Sequence, residues 1–310
     1  MPRIITLTPN PTYDFAVDAD FVAPNRKLRC RNPQSHPGGG GVNVARAAVR
    51  LRADVLAIIT AGGLYGDAVK GLLGEETVPI RSIPVRGETR IAFHVRDLSD
   101  GQEYRFNLPG AEMSAAEADA MIAAVEEEAK EGDYVVGSGS LPGGGPVDLW
   151  ARAARAAKAR GARFVLDSIH GVHEALAEGI FMLRHNRYEY PIIAGRELPW
   201  PDGVIAFARG LVAEGKAERV TITHGADGSI MASKNGVART NVLPIKAHSA
   251  VGAGDSYVAA LLVALMRGWS DDDAIRYAMA AAGATRLTPG TALFRPEDVE
   301  RLYKEARGSA

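Results

Sequence analysis

Ser249-Ala250-Val251-Gly252-Ala253-Gly254-Asp255-Ser256 carries the sharpest chemical signal in the chain. Gly252, Ala253 and Gly254 stand immediately before a long apolar stretch at helical spacing. Small residues there let backbone N–H groups approach an anion, and a helix N-terminus adds a favourable partial charge. Asp255 falls in the first turn of that helix, a placement that favours an ionised carboxylate at neutral pH, as a base for a hydroxyl proton requires. A plain turn with an Asp near a helix cap looks the same, so this segment alone leaves both readings open. In Pro37-Gly38-Gly39-Gly40-Gly41-Val42-Asn43, four glycines again precede a helix and expose amides. Asn43, in the first turn, offers a donor and an acceptor to a polyhydroxyl ligand. A flexible loop is the alternative, but four ordered glycines are entropically costly without a reason. Asn186-Arg187-Tyr188-Glu189 puts Asn186 and Glu189 three apart, on one helical face, where they can hold a hydrated Mg²⁺. Such pairs alone are usually solvated surface. Thr223-His224-Gly225-Ala226-Asp227-Gly228 follows a strand-like run and reads as a loop at the carboxyl edge of a sheet, where α/β proteins bind ligands.

The elements around these segments alternate. Strand-like runs are expected at 4–7, 55–60, 134–137, 164–167 and 219–223, with a hairpin over 228–240 around Asn235-Gly236. Helices are expected over 42–51, from the capping box Ser114-Ala-Ala-Glu117 to about Lys130, and over 147–160, 205–214, 253–266, 271–287 and 296–307. Strands alternating with helices of this length argue for βαβ units and a mostly parallel sheet. Four further extended pieces, 14–22, 27–31, 89–95 and 103–108, predict a small sheet beside the main one. Gly210 to Ala217 nearly matches a nucleotide-binding Gly-rich loop, but it lies in a helical pattern and has Ala217 where a hydroxyl is needed.

The chain has 310 residues, 36 Lys+Arg against 37 Asp+Glu, and 24% charged residues with 46% hydrophobic ones. Those values exclude disorder over most of the chain and argue against a nucleic-acid binder driven by overall basic charge, although a local basic patch would survive this average. Cys30 is the lone cysteine, so no internal disulfide and no Cys-x-x-Cys site exists. No apolar stretch approaches a membrane span or a signal peptide, and a cytoplasmic protein is the expectation.

The four chemical segments, in this order, resemble the ribokinase/PfkB family of sugar kinases. Leu7-Thr8-Pro9-Asn10-Pro11-Thr12-Tyr13-Asp14, Ser138-Gly139-Ser140-Leu141-Pro142 and Asp167-Ser168 belong to the same resemblance, which covers essentially the whole chain. It implies a Rossmann-like α/β/α sandwich over residues 1–310 with a small β-sheet lid from about 10–35 and 88–109, and a homodimer formed through paired lids. It further implies Asp255 as catalytic base and Gly252, Ala253 and Gly254 as an anion hole. Asn186 and Glu189 would organise Mg²⁺ through water, and Thr223, Gly225 and Gly228 would line the path of ATP. Asp14, Gly39, Gly40, Asn43 and Ser140 would hold the sugar. Within the family the chain is most similar to the phosphosugar kinases. Phosphorylation of fructose 6-phosphate is the first expectation, with fructose 1-phosphate or tagatose 6-phosphate as alternatives. A substrate phosphate needs cations, and Lys27, Arg29, Arg90 and Arg105 fall in the expected lid. Many members bind K⁺ beside the anion hole, here from Ser249, Val251 and the 285–290 loop.

The chain departs from the family at Arg184-His185-Asn186, where Lys-Pro-Asn is usual. Arg184 would take the place of the lysine that reaches the transferring phosphate, keeping its charge with another reach. That change motivates one reading from a different class, a sugar- or nucleotide-binding regulator without turnover. A nicotinamide-dependent oxidoreductase ranks far below, because no Gly-x-Gly-x-x-Gly follows the first strand.

Overall fold

A computed structural model describes residues 2–242, 245, 251–288 and 290–308. The chain begins with β1 (Ile4–Thr8), β2 (Thr12–Ala19), β3 (Cys30–Gly38), α1 (Gly40–Arg50), β4 (Val55–Ala61), α2 (Gly63–Glu75) and β5 (Ile80–Pro84). It continues through β6 (Arg90–Asp97), β7 (Glu103–Asn107), α3 (Ala115–Glu128), β8 (Tyr134–Ser138), α4 (Leu149–Ala159), β9 (Arg163–Asp167), α5 (Val172–Ala177) and β10 (Ile180–Asn186). It closes with α6 (Tyr190–Ala194), α7 (Asp202–Ala213), β11 (Ala217–Thr223), β12 (Ser229–Ser233), β13 (Gly236–Thr240), α8 (Ala253–Met266), α9 (Asp271–Arg286) and α10 (Pro296–Gly308).

Among the described residues the main sheet has nine strands, in the order β13-β12-β11-β10-β9-β8-β1-β4-β5. From β11 to β5 every neighbouring pair is parallel, while β12 pairs antiparallel to both β11 and β13. The central strands are buried on both faces, which is why β1, β4 and β8 read as near-continuous apolar runs. Alternate residues serve two cores. Ile4, Val55, Ala57, Ile59 and Val136 face α1, α8, α9 and α10. Ile5, Leu7, Leu56, Ile58 and Val135 face α3, α4 and α7. This is the expected α/β/α sandwich.

Local chemistry sets the helix ends. Ser114 and Glu117 close the capping box of α3 as expected. Ser270 caps α9, and Asp271, Asp272 and Asp273 sit in its first turn, where the helix dipole favours negative charge. Gly210 to Ala213 lies inside α7, so the near-match to a Gly-rich nucleotide loop is a helix end closed by Gly215 at φ +70.

A second sheet of four strands, in the order β3-β2-β6-β7, stands apart with its own small core of Val17, Ala19 and Val95. The segment at 27–31 is corrected: most of it is irregular connection, and the strand runs over Cys30–Gly38 instead. β3 contains Pro33 and Pro37 and few apolar side chains, which an edge strand tolerates and a sequence pattern hides. The sheet has two unlike faces, because side chains alternate along a strand. Asp18, Gln34, His94, Arg96 and Glu103 line a hollow that also contains Val251 and Gly290 of the main body. Tyr13, Phe15, Ile91 and Phe93 line the other face with Tyr65 and Leu108. The Phe15 and Phe93 rings stack at 5.8 Å, and Phe106 beside them is 53% exposed.

Candidate active site

The glycine run and α8 meet. Asn43 Nδ2 donates to Asp255 Oδ2 at 2.9 Å across 212 residues of chain. The run must be glycine for close approach. A Cβ on Gly38 would lie 2.4 Å from Asp14 Oδ2, and one on Gly40 would lie 2.3 Å from Ser138 Oγ. Gly39 has φ +107, and Asn43 N donates to its carbonyl to open α1. Asp14, Gly39, Gly40 and Asn43 are thereby packed into one wall.

Gly252 caps α8 in the left-handed region at φ 73, and a Cβ there would strike Leu293 Cδ2 at 2.5 Å. Ser256 N is bonded to Gly252 O, so the amides of the residues before it are the ones a helix leaves without internal partners. Asp255 is in the first turn as expected. Its charge state is not: burial first, then the nearby Asp167 carboxylate, push its carboxyl up to about 7, with Glu189 adding to the rise. The Asn43 hydrogen bond and Arg184 oppose that rise. The helix end is outweighed by neighbours that the sequence does not bring together.

Arg184 is buried on β10 and forks between two partners. Nη1 donates to Asp167 Oδ1 at 3.0 Å and Nη2 donates to Thr223 Oγ1 at 2.9 Å. A Cβ on Gly254 would lie 2.7 Å from Nη1, so the guanidinium sits against the mouth of α8. Burial opposes its charge, but Asp167, Glu189 and Asp255 hold its pKa above the ordinary value. Cation and helix N-terminus repel each other, and an anion between them satisfies both. Among the described residues its buried Nε has no hydrogen-bond partner, and neither has Asp14 Oδ1.

Asn186 and Glu189 do come together, but not on a helical face. Asn186 ends β10, and the chain turns before α6, so that Asn186 N donates to Glu189 Oε2 at 2.8 Å. Burial, then Asp167, raise the Glu189 carboxyl. Three carboxylates (Asp167, Glu189 and Asp255) thus gather around the cation Arg184, a local excess of negative charge that fits a divalent ion. Among the described residues no three side chains form a closed metal cluster. His185, the other departure, is buried and kept neutral, its pKa brought down to about 4 by burial.

Beside the glycine wall, Arg90 is half-buried and lies over Asn10, with Nε and Nη2 each 3.4 Å from its carbonyl. Burial raises the Asp14 carboxyl to about 6, while Arg90 and Arg46 pull it down. Ser140 Oγ accepts from Asn10 Nδ2 at 3.0 Å. Lys27 and Arg29 are exposed on the connection between β2 and β3. Arg105 pairs with Glu103 at 2.8 Å on the outer strand β7. Of the four expected cations the chain brings only Arg90 next to Asp14.

Beyond Arg184 a cavity of about 730 Å³, counting its open mouth, runs along α8. Thr223, Gly225, Ala253 and Gly254 line one end, and Tyr257, Met279, Gly283 and Leu302 give it apolar walls. An anion-binding helix end opening into an apolar slot suits a nucleotide, phosphates first and base beyond. Gly228, at φ +93, makes the turn into β12. Trp200 stacks on His224 at 4.3 Å and braces this loop. Ser249 lies outside the described residues. Thr285, in the expected K⁺ loop, spends its hydroxyl on Ser256 Oγ and Ala281 O.

Asp167 and Arg46 are side chains beside this cleft to which the residue-level reading gave no role. Asp167 ends β9 and also accepts from Ser138 Oγ at 3.3 Å. Arg46 had a signal: a charge on the apolar run of alanines and valines, three residues after Asn43.

The architecture and this cleft define a sugar-phosphorylating enzyme of the α/β class, and comparison with known proteins agrees. The pfkB family carbohydrate kinase model matches residues 9–298, and the chain belongs to that family. It is 38% identical over 305 residues to the ATP-dependent 6-phosphofructokinase isozyme 2 of Mycobacterium tuberculosis, covering 98% of this chain and 90% of the relative. It is 30% identical over 305 residues to the 1-phosphofructokinase of Bacillus subtilis, covering 98% of both. The crystal structure of phosphofructokinase-2 from Escherichia coli in complex with potassium superposes with a TM-score of 0.94 at 36% identity, covering 99% of this chain and 100% of that one.

Proposed function

We propose that this chain transfers the γ-phosphoryl group of ATP to a hydroxyl of fructose 6-phosphate. The observation that carries the reading is the bond between Asn43 and Asp255, which joins the glycine wall to the mouth of α8. Asp255 accepts the proton of the acceptor hydroxyl as its oxygen attacks the γ-phosphorus. The bond from that phosphorus to its bridging oxygen breaks, and ADP leaves. Arg184 and the amides of Gly252, Ala253 and Gly254 receive the charge of the group in flight, which needs positioning and electrostatic support rather than covalent help. Asp14, Gly39, Gly40, Asn43 and Ser140 orient the sugar, and Arg90 meets its phosphate. Asn186, Glu189 and Asp167 would hold Mg²⁺ through water, where the ion neutralises the nucleotide phosphates.

The reading extends to the four-stranded sheet as a lid. Its polar side looks toward Val251 and Gly290, and its apolar side supports a homodimer through paired lids. Lys27, Arg29 and Arg105 are then phosphate contacts only if assembly or closure carries them to the cleft. K⁺ beside Val251 is part of the same proposal, in line with the potassium complex of the Escherichia coli relative. Among the described residues no helix is long and apolar enough to cross a membrane, and a cytoplasmic place fits the proposed substrates.

A coupled ADP-release assay over fructose 6-phosphate, fructose 1-phosphate, tagatose 6-phosphate and fructose tests the assignment. Fructose 6-phosphate is expected to give the highest kcat/KM. Preference for fructose 1-phosphate would replace the proposed acceptor, and no sugar-dependent release with any of them would remove the kinase reading.

A further inference from the structure

Arg46 lies on α1 and has no exposed surface, in a helix whose other buried residues include Val42, Val44, Ala45, Ala47 and Ala48. Burying a guanidinium is costly unless its charge and its N–H groups are all matched. Here they are. Nε and Nη2 donate to Glu76 Oε1, just beyond α2, at 2.9 and 2.6 Å. Nη1 is shared among Pro37 O at 3.0 Å, Asn43 Oδ1 at 3.2 Å and Thr291 O at 3.2 Å. Arg50, one turn on, donates to Glu76 Oε2 at 3.2 Å and to the carbonyls of Ala292 and Phe294. Glu76 therefore balances two arginines.

Stability alone does not call for this network, since a well-packed apolar side chain of similar volume often serves as well. Its acceptors indicate another purpose. Pro37 opens the glycine run, Asn43 holds Asp255, and Thr291 starts the segment whose Leu293 packs on Gly252. An amide has one accepting end and one donating end. A guanidinium beside Asn43 Oδ1 fixes that atom as the acceptor, so Nδ2 must face Asp255 Oδ2. Without the guanidinium the amide loses the anchor on its oxygen end, and it can tilt and shift together with the carboxylate that its Nδ2 holds.

We propose that Arg46 is a positioning residue for phosphoryl transfer: it sets the orientation of the Asn43 amide, and through it the placement of Asp255 against the glycine run. The proposal rests on the kinase reading above. It differs from a merely structural role in one measurable respect, which is coupling to Asn43.

The test is a double-mutant cycle in kcat/KM on the full chain with fructose 6-phosphate and ATP. Arg46→Met is expected to lose about 10- to 100-fold, the range for a hydrogen bond to a charged group. In an Asn43→Ala background the same change is expected to cost less than about threefold, because the amide it orients is gone. Arg46→Lys keeps the charge and the fold but cannot fork to Glu76 while holding Asn43. It is expected to lose less than Arg46→Met, with the same non-additivity and a melting temperature near that of the parent. Unchanged kcat/KM in Arg46→Lys and Arg46→Met, or losses that multiply in the cycle, would overturn the proposal while the parent still turns over. A parent that releases no ADP with any sugar phosphate would overturn the kinase reading, and this proposal with it.

Discussion

Replacing Asp255 by Asn is expected to remove activity and to make the protein more stable. The carboxyl moves from its ordinary value of 3.8 to about 7 in the folded chain, burial being the main cause and Asp167 the next. An acid whose pKa rises on folding holds its proton more tightly in the folded state. Its effect on stability is therefore nil below the unfolded value, grows more unfavourable as pH climbs from 3.8 to about 7, and is constant above that. A rise of about three pH units corresponds to ~4 kcal/mol. The position of Asp255 at a cleft open to solvent reduces that to ~2–3 kcal/mol. For a chain of this length the Asp255→Asn variant should melt about 3–5 °C higher at pH 8. The gain should vanish near pH 4, where the parent carboxyl is itself protonated. Activity runs the other way. The parent's kcat/KM should drop about tenfold for each pH unit below 7, and the variant should lose about 10²- to 10⁴-fold at pH 8. Scanning calorimetry at two pH values and the coupled ADP assay read both effects. A variant that keeps more than about a tenth of parental kcat/KM, or melts below the parent at pH 8, would refute the reasoning.

Three further outcomes follow from the same geometry. Arg184→Lys keeps the charge but loses the planar fork between Asp167 and Thr223, and kcat should fall about 10- to 100-fold with a smaller change in the KM for the sugar; steady-state kinetics decide it, and an unchanged kcat would show that the fork is not needed. Arg90→Ala should raise the KM for sugar phosphates by about 10- to 100-fold and leave that for ATP alone, a split that initial rates at varied sugar and fixed ATP will reveal. Phe93→Asp puts a charge in the apolar face of the small sheet, so light scattering should find a dimeric parent and a monomeric variant; a parent already monomeric at micromolar concentration would sink the paired-lid reading.

The chain writes some of its architecture openly and hides the rest for physical reasons. β4 and β8 are recognisable because a strand buried on both faces has no polar position to interrupt it. α3 announces itself by a capping box, and α8 and α9 are legible from their helical apolar spacing. β10 escapes because it ends in Arg184, His185 and Asn186: a strand that delivers polar side chains to a site ends polar, and its tail then passes for the start of a helix. β3 escapes because an edge strand tolerates proline. α2, α5 and α6 lie in stretches left unassigned between recognised elements, and α5 and α6 are too short to develop a periodic signal. The site follows the same rule. Residues next to glycine punctuation were identifiable, since Gly252 and Gly39 are needed for backbone reasons. The charge state of Asp255 was not, because Asp167 and Glu189 reach it only through the fold.

The small sheet rests on a core of its own, Val17, Ala19 and Val95, separate from the two that flank the large one. Phe15 and Phe93 pack on this small core, so a substitution at either is borne first by the four-stranded sheet and not by the packing under the nine-stranded one.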